Sequence, residues 1–139
     1  MEPSAKAKET GHKVVAAAII VREDDGAILG LQRPPGKWGA GKWEFPGGKV
    51  AVGENPRAAL VRECEEELGI TAVAGAAYEI LSHRYDDLPP VILLFFRTRI
   101  VSGEPRSLEG GRAEWIAPRN LRDYDWLEAD WPIVEELAR

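Results

Sequence analysis

The chain has 139 residues, of which 45% are hydrophobic and 29% charged, values that suit one globular domain with a substantial core. The formal net charge of −5 argues against a protein that binds nucleic acid polymers, because such binding needs a basic surface. The single cysteine, Cys64, excludes an internal disulfide and agrees with a cytoplasmic location.

The beginning of the chain is predicted to lie outside the folded domain. Residues 1–11 (MEPSAKAKETG) lack the apolar core of a signal peptide, so we expect a flexible N-terminal tail followed by a single domain over residues 12–139. No apolar run approaches the roughly 18 residues that a membrane span needs, and we expect no membrane partner.

The first half of the domain is predicted to hold three strands. Residues 12–21 are apolar and partly β-branched, which favours a buried strand, although their alanines leave a helix possible. The Asp25-Gly26 pair is a hairpin signal, so residues 27–33 should form the return strand. Residues 34–42 are rich in glycine and proline and should form a surface loop. Residues 43–48 (WEFPGG) are predicted to be a short strand that ends in a tight turn.

The clearest helix signal lies over NPRAALVRECEEELG. Asn55 is a natural N-cap, Pro56 suits the first helical position and Gly69 suits the C-terminal stop. A second helix is predicted over residues 130–139, with Asp130 as its N-cap.

The remaining segments are predicted to be strands and loops. Residues 72–84 and 91–101 should form two long strands, residues 103–114 a loop, and the tripeptide EWI a short strand. Most strands therefore follow one another with few helices between them. This order indicates an α+β fold, with a mixed sheet packed between helices, rather than a doubly wound parallel sheet.

The first predicted helix gathers carboxylates on one side. At about 100° per residue, the core face carries Leu60, Cys64 and Leu68, and a separate arc carries Glu63, Glu66 and Glu67. Like charges at these spacings destabilise a helix by a few tenths of a kcal/mol per pair, and its last turns disfavour negative charge. A solvated acidic face explains this pattern less well than a site for Mg²⁺ or Mn²⁺, which prefer carboxylate oxygens.

The spacing of this segment resembles the Nudix box: Gly, five residues, Glu, seven residues, Arg-Glu, an aliphatic residue, any residue, Glu-Glu, any residue, Gly, and an aliphatic residue. The fixed positions are occupied by Gly48, Glu54, Arg62, Glu63, Glu66, Glu67, Gly69 and Ile70, and the one departure is Cys64 in the aliphatic position. The segments LQRP, KWEFPGGKV, GEPRSLEGGRAEWI and LEADWPIVEEL are similar to the MutT branch of the family. The resemblance covers most of residues 14–137.

The resemblance implies a Nudix-type α/β/α sandwich with a mixed β-sheet and a Mg²⁺-dependent hydrolysis of (deoxy)nucleoside triphosphates to monophosphate and pyrophosphate. Mn²⁺ is a possible substitute. The implied metal ligands, by motif position, are Gly48, Glu54, Glu63, Glu66 and Glu67. Arg62 would orient these carboxylates. Glu109 in SLEGGR stands at the position of the general base in MutT-like enzymes, with Glu63 or Glu66 as the alternative base.

Four further residues are candidates for substrate binding. Arg33 resembles the phosphate-holding position of MutT-like proteins, and Lys49 is a second candidate. Tyr85 either lines a nucleobase pocket or closes a sheet edge. Asp130 stands where relatives selective for 8-oxo-dGTP carry asparagine. A carboxylate only accepts hydrogen bonds, so it would suit N7–H of the oxidised base or the exocyclic amine of cytosine, and it would repel the O6 carbonyl.

The sequence thus predicts a cytoplasmic pyrophosphohydrolase that removes oxidised or noncanonical dNTPs, such as 8-oxo-dGTP, from the nucleotide pool. A (d)CTP or 5-methyl-dCTP pyrophosphohydrolase is the alternative. A catalytically silent nucleotide sensor is disfavoured, because every box glutamate is present. The expected partner is a small nucleotide substrate, and the chain is expected to be a monomer or a homodimer.

Overall fold

A computed structural model describes residues 12–139, so the predicted tail over residues 1–11 lies outside the described part of the chain. Within residues 12–139 there are seven strands: β1 Lys13–Ile20, β2 Ile28–Gln32, β3 Trp43–Glu44, β4 Gly47–Lys49, β5 Thr71–His83, β6 Val91–Ser102 and β7 Arg112–Ile116. The same part of the chain has two α-helices, α1 Pro56–Leu68 and α2 Trp131–Leu137, and two 3₁₀ helices, Pro118–Asp123 and Glu128–Asp130. The predicted bounds of β1, β2, β5 and β6 are correct to within one residue.

The strands form two sheets. The larger sheet has the order β4-β1-β6-β5 and is mixed, because β1 is parallel to β6 but antiparallel to β4. The smaller sheet, β3-β2-β7, is antiparallel. The predicted α+β fold with a mixed sheet is therefore confirmed.

The strand predicted over residues 43–48 is wrong, because the structure divides it into β3 and β4. These two strands belong to different sheets, and Pro46 lies between them. Proline has no N–H to donate to a ladder, so a single strand does not continue through it. The Pro46 carbonyl instead accepts a hydrogen bond from Ala18 N at 2.7 Å, which anchors the crossing between the two sheets.

The larger sheet is buried on both faces. Along β1, Ala16, Ala18 and Ile20 pack into one core cluster, whereas Ala17 and Ile19 pack into the other. The first cluster contains the core face of α1 and the second contains the buried residues of α2, so helices cover the two faces of the sheet. This is the α/β/α layering that the resemblance implied.

The predicted core face and caps of α1 are confirmed. Burial raises the pKa of the Cys64 thiol to about 12, as expected of an inert packing residue. Asn55 Oδ1 accepts hydrogen bonds from Arg57 N at 2.9 Å and Ala58 N at 3.2 Å. Gly69, at φ 68°, donates its N–H to Glu65 O at 3.0 Å. Caps at both ends define the helix and hence the positions of its glutamates.

The predicted cap of the last helix is wrong. Asp130 closes a 3₁₀ helix that leads directly into α2, so its backbone is already helical (φ −87°, ψ −16°) and its side chain makes no capping hydrogen bond. Its N–H is bound to Leu127 O at 2.9 Å, and the residue is only 4% exposed. The Asp130 carboxyl group therefore does not cap α2. The predicted EWI strand is longer than expected, because β7 pairs with β2 along its whole length.

Candidate active site

Two cavities, with volumes of about 480 and 420 Å³, share part of their lining and so form one cleft. The shared residues are Arg33, Glu44, Gly47, Gly48, Lys49 and Glu67. We call the larger cavity the apolar end; its own lining includes Trp38, Phe45, Tyr85, Leu93, Leu127 and Asp130. We call the smaller cavity the charged end; its own lining includes Lys37, Glu63, Ser107 and Glu109.

Two box glutamates reach the charged end because α1 lies against β4. Glu67 Oε1 accepts a hydrogen bond from Gly47 N at 3.1 Å. Glu63 lies so close to Gly48 that a Cβ on Gly48 would collide with its carboxyl group. Glycine at this position therefore permits the approach of the Glu63 carboxylate to the backbone of β4.

Arg62 links three box glutamates, Glu54, Glu63 and Glu66, through its guanidinium group. It donates to both oxygens of Glu54, through Nε at 3.0 Å and Nη2 at 3.1 Å, and to Glu63 Oε1 through Nη1 at 2.9 Å. Weaker contact is made with Glu66 at 3.4 Å, and Nη2 also donates to Lys49 O at 3.2 Å. These bonds lower the pKa of Glu54. Glu54 and Glu66 themselves line neither end of the cleft, and the Glu66 side chain is 56% exposed.

The pKa values of two carboxyl groups at the charged end are raised. Burial raises the pKa of Glu67 to about 8, and the charges of Glu44, Glu63 and Glu109 raise it further, against the Gly47 hydrogen bond. Burial also raises the pKa of Glu63, opposed by Arg62. Glu109 lines the charged end together with Glu63 and Glu67.

These donors have the chemistry that a hard divalent cation needs, namely carboxylate and backbone oxygens on rigid elements. Within residues 12–139, however, no group of three or more acidic, histidine or cysteine side chains is arranged to hold a metal ion. Arg62 binds three of the four box carboxylates, Glu54, Glu63 and Glu66. Glu63 and Glu67 are the candidates that face the cleft, together with the Gly48 backbone.

Cations also border the charged end. Arg33 donates through Nε to Trp38 O at 2.6 Å and through Nη1 to both oxygens of Glu44 at 3.1 Å. None of these three hydrogen bonds uses Nη2, whose N–H groups can therefore donate to an anion. Lys49 and Lys37 also line the charged end.

The apolar end contains a buried acid. The Asp130 side chain makes no hydrogen bond to the described residues of the chain, although it lines the cavity. Burial raises the pKa of Asp130 well above its usual value, and the charge of Glu44 raises it further. Tyr85 also lines this end, and its hydroxyl accepts a hydrogen bond from Ala129 N at 2.8 Å. Burial raises the pKa of Tyr85 to about 12, so the phenol is neutral.

The structure thus brings most of the predicted residues into one cleft: Arg33, Gly48, Lys49, Glu63, Glu67, Tyr85, Glu109 and Asp130. Arg62 does not line the cleft, and it donates hydrogen bonds to Glu54, Glu63 and Glu66. Three further residues of the cleft were not predicted from the sequence: Lys37, Trp38 and Glu44. The signal for Glu44 was a charge placed directly before the buried Phe45, and the signal for Trp38 was an aromatic residue within a glycine-rich loop.

The arrangement suits a ligand with a flat, mostly apolar group at one end and a polyanion at the other. A ring of the size of a nucleobase would occupy the apolar end, where Asp130 and Tyr85 offer polar atoms. A chain of phosphates would reach Arg33, Lys37 and Lys49 at the charged end.

The known proteins that are similar to this chain agree with this interpretation of the cleft. The NUDIX domain model matches residues 12–137. The chain is 35% identical over 127 residues to the 8-oxo-dGTP diphosphatase of Escherichia coli (strain K12), covering 91% of this chain and 98% of that protein. It is 40% identical over 122 residues to the CTP pyrophosphohydrolase of the same organism, covering 87% of each chain. The crystal structure of a MutT protein from Methanosarcina mazei Go1 superimposes with a TM-score of 0.80 at 26% identity, covering 93% of this chain and 94% of that one.

Proposed function

The chain belongs to the NUDIX family, and on that premise we propose that it hydrolyses (deoxy)nucleoside triphosphates to monophosphate and pyrophosphate, with oxidised dNTPs such as 8-oxo-dGTP as the main substrates. The enzyme class is that of a Nudix pyrophosphohydrolase. The observation that carries the proposal is the single cleft, which joins a buried acid at an apolar end to box glutamates and three basic side chains at a charged end.

Glu63, Glu67 and the Gly48 backbone would hold the divalent cation, for which we propose Mg²⁺, with Mn²⁺ as a substitute. Glu54 and Glu66 would join as further ligands or support the site through Arg62. When bound, the cation neutralises phosphate charge and lowers the pKa of coordinated water. Arg33 and Lys49 would bind the phosphates, with Arg33 held in place by Glu44.

Glu109 is the proposed general base. It lines the charged end, and it lies in a loop next to Gly110, which adopts φ 94°. A carboxylate there can accept a proton from the attacking water, and the box glutamates Glu63 and Glu66 are the alternative bases.

Base recognition is proposed to depend on a neutral Asp130. An ionised Asp130 would only accept hydrogen bonds, but burial and the neighbouring Glu44 raise the pKa of Asp130 and favour the protonated acid. A protonated carboxyl group donates one hydrogen bond and accepts another, as an asparagine amide does. It can therefore accept from N7–H of 8-oxoguanine and donate to O6, which removes the expected repulsion.

Asp130→Asn is expected to abolish a pH dependence in substrate preference. In the unmodified enzyme, the ratio of kcat/KM for 8-oxo-dGTP to that for dCTP should fall by about tenfold or more as the pH rises through the raised pKa of Asp130, because the ionised group loses its donor. Below that pKa the group is neutral and the ratio is high. With asparagine the ratio should stay high and flat. A ratio measured for both substrates on one enzyme cancels the titration of the catalytic carboxylates. Identical profiles for the two enzymes would show that Asp130 does not read the base.

A pyrophosphate-release screen with Mg²⁺ tests the function itself. It compares 8-oxo-dGTP, dGTP, dCTP, 5-methyl-dCTP and CTP by kcat/KM, and we expect 8-oxo-dGTP to lead. A lead for the cytosine nucleotides would support the second candidate, a (d)CTP or 5-methyl-dCTP pyrophosphohydrolase, which the 40% identity to the CTP enzyme favours. Binding without any turnover would identify a nucleotide sensor.

The proposed partner is the small nucleotide alone, with a monomer or a homodimer as the assembly and the cytoplasm as the compartment. Within residues 12–139, no helix is both long and apolar enough to cross a membrane.

A further inference from the structure

Trp38 is an exposed aromatic residue at the mouth of the apolar end. It is 52% exposed, whereas Trp43 and Trp126 are buried in the core at 6% and 1%. An exposed indole contributes little to the stability of the fold, and it is a typical contact residue for flat apolar ligands. Its position in the cavity lining makes it a candidate ligand contact rather than a packing residue.

The Trp38 indole is held in place although its loop is rich in glycine. The backbone carbonyl of Trp38 accepts the 2.6 Å hydrogen bond from Arg33 Nε. Its ring packs against Tyr85 in a T-shaped pair, with centroids 4.8 Å apart and planes at 78°. Tyr85 is in turn fixed by its hydrogen bond to Ala129 N. A contact surface fixed before the ligand arrives loses less entropy on binding.

We propose that the Trp38 indole stacks on the nucleobase of the substrate and forms the outer wall of the base pocket. This inference rests on the proposed function, since it assigns the face of the base to Trp38 and the edge of the base to Asp130. Both side chains line the apolar end, so a planar ring in this cavity can meet both.

The two contacts serve different purposes. Hydrogen bonds to the edge of a base distinguish one base from another, whereas stacking on its face adds affinity for any base. Trp38 therefore raises the affinity for nucleotides as a class, and Asp130 ranks them. Arg33 connects the two ends of the cleft, because one guanidinium group binds both the Trp38 carbonyl and Glu44.

The experiment measures binding with and without a base. Calorimetric titration with Mg²⁺ uses two ligands: an α,β-imido analogue of 8-oxo-dGTP, which is not hydrolysed, and inorganic tripolyphosphate, which carries no base. Trp38→Ala is expected to weaken binding of the analogue by about 10- to 100-fold, the usual effect of removing a base–aromatic stack, and to leave binding of tripolyphosphate unchanged. Trp38→Phe should recover most of the loss.

Ile80→Ala is the matched control, because Ile80 is also an exposed apolar residue, at 63%, and lines neither end of the cleft. Its affinity for both ligands should equal that of the wild type. In steady-state kinetics Trp38→Ala should raise KM and leave kcat unchanged, since stacking stabilises ground and transition states equally.

Several results would overturn the proposal. One is an equal loss of affinity for both ligands, which would assign Trp38 to the support of Arg33 alone. Others are unchanged analogue binding in Trp38→Ala, or a wild type that binds the analogue no more tightly than tripolyphosphate. If the wild type and Trp38→Ala follow the expected binding pattern but no triphosphate is hydrolysed, then the proposed function fails and the stacking assignment stands.

Discussion

Glu67→Gln is expected to lower kcat by about a hundredfold or more while the fold is retained. The substitution removes the charge of a carboxylate that faces the cleft and is proposed to hold the cation. The glutamine carbonyl can still accept the hydrogen bond from Gly47 N that Glu67 Oε1 accepts. Turnover is measured as pyrophosphate release with saturating nucleotide and Mg²⁺.

Stability measurements separate this effect from misfolding. Burial raises the pKa of Glu67 to about 8, so in the metal-free protein the ionised form is disfavoured by folding, and the free energy of unfolding should fall as the pH rises from the ordinary glutamate pKa toward 8. Glu67→Gln should show a smaller fall and should gain less stability from added Mg²⁺.

Glu65→Gln is the matched control, since Glu65 is an exposed neighbour on the same helix and lines neither end of the cleft. It should retain wild-type turnover. Near wild-type turnover in Glu67→Gln would contradict the assignment of Glu67.

Arg62→Gln is expected to lower kcat by about 10- to 100-fold, the usual cost of removing a residue that orients metal ligands. Arg62 makes hydrogen bonds to Glu54, Glu63 and Glu66. Without its guanidinium group, these three carboxylates lie close together with no positive charge between them. The affinity for Mg²⁺ should change along with kcat, and both are measured by titrating the metal in the turnover assay.

Arg57→Gln serves as the control for Arg62→Gln. Arg57 lies on the same helix, donates to Gly75 O at 2.9 Å and lies over the ring of Phe96, and it lines neither end of the cleft. Both substitutions remove a helix arginine, but only the first should reduce turnover. Equal effects of the two would show that Arg62 contributes to the helix rather than to the site.

Helix α1 could be predicted from the sequence because the signals that define it are local. Asn55, Pro56 and Gly69 define its ends, and the register of the glutamates follows from 3.6 residues per turn. The predicted helix cap at Asp130 is wrong for another local reason. A residue caps a helix only where the preceding backbone is not already helical, and the 3₁₀ helix Glu128–Asp130 leaves no such point.

The composition of the cleft was only partly predictable, because it depends on which distant segments meet. Glu44 is one position in a short strand by sequence, and the antiparallel pairing of β3 with β2 brings it beside Arg33, where it lines both ends of the cleft. The raised pKa of Asp130 could not be predicted from the sequence for the same reason. Its pKa depends on burial by residues far along the chain and on the charge of Glu44.

The two ends of the cleft are built from different kinds of backbone, and this bears on how such a protein can evolve. Glu63, Glu66 and Glu67 lie on a capped helix whose core face packs against a buried sheet, and most substitutions on that face disturb the core. Trp38 and Tyr85 lie in loops, and Asp130 lies at the end of a 3₁₀ helix. Loops tolerate replacement more readily than packed elements do. Under the proposed base recognition, substitutions there would change which base is bound and leave the carboxylates of the charged end in place, so a new substrate range would require no new catalyst.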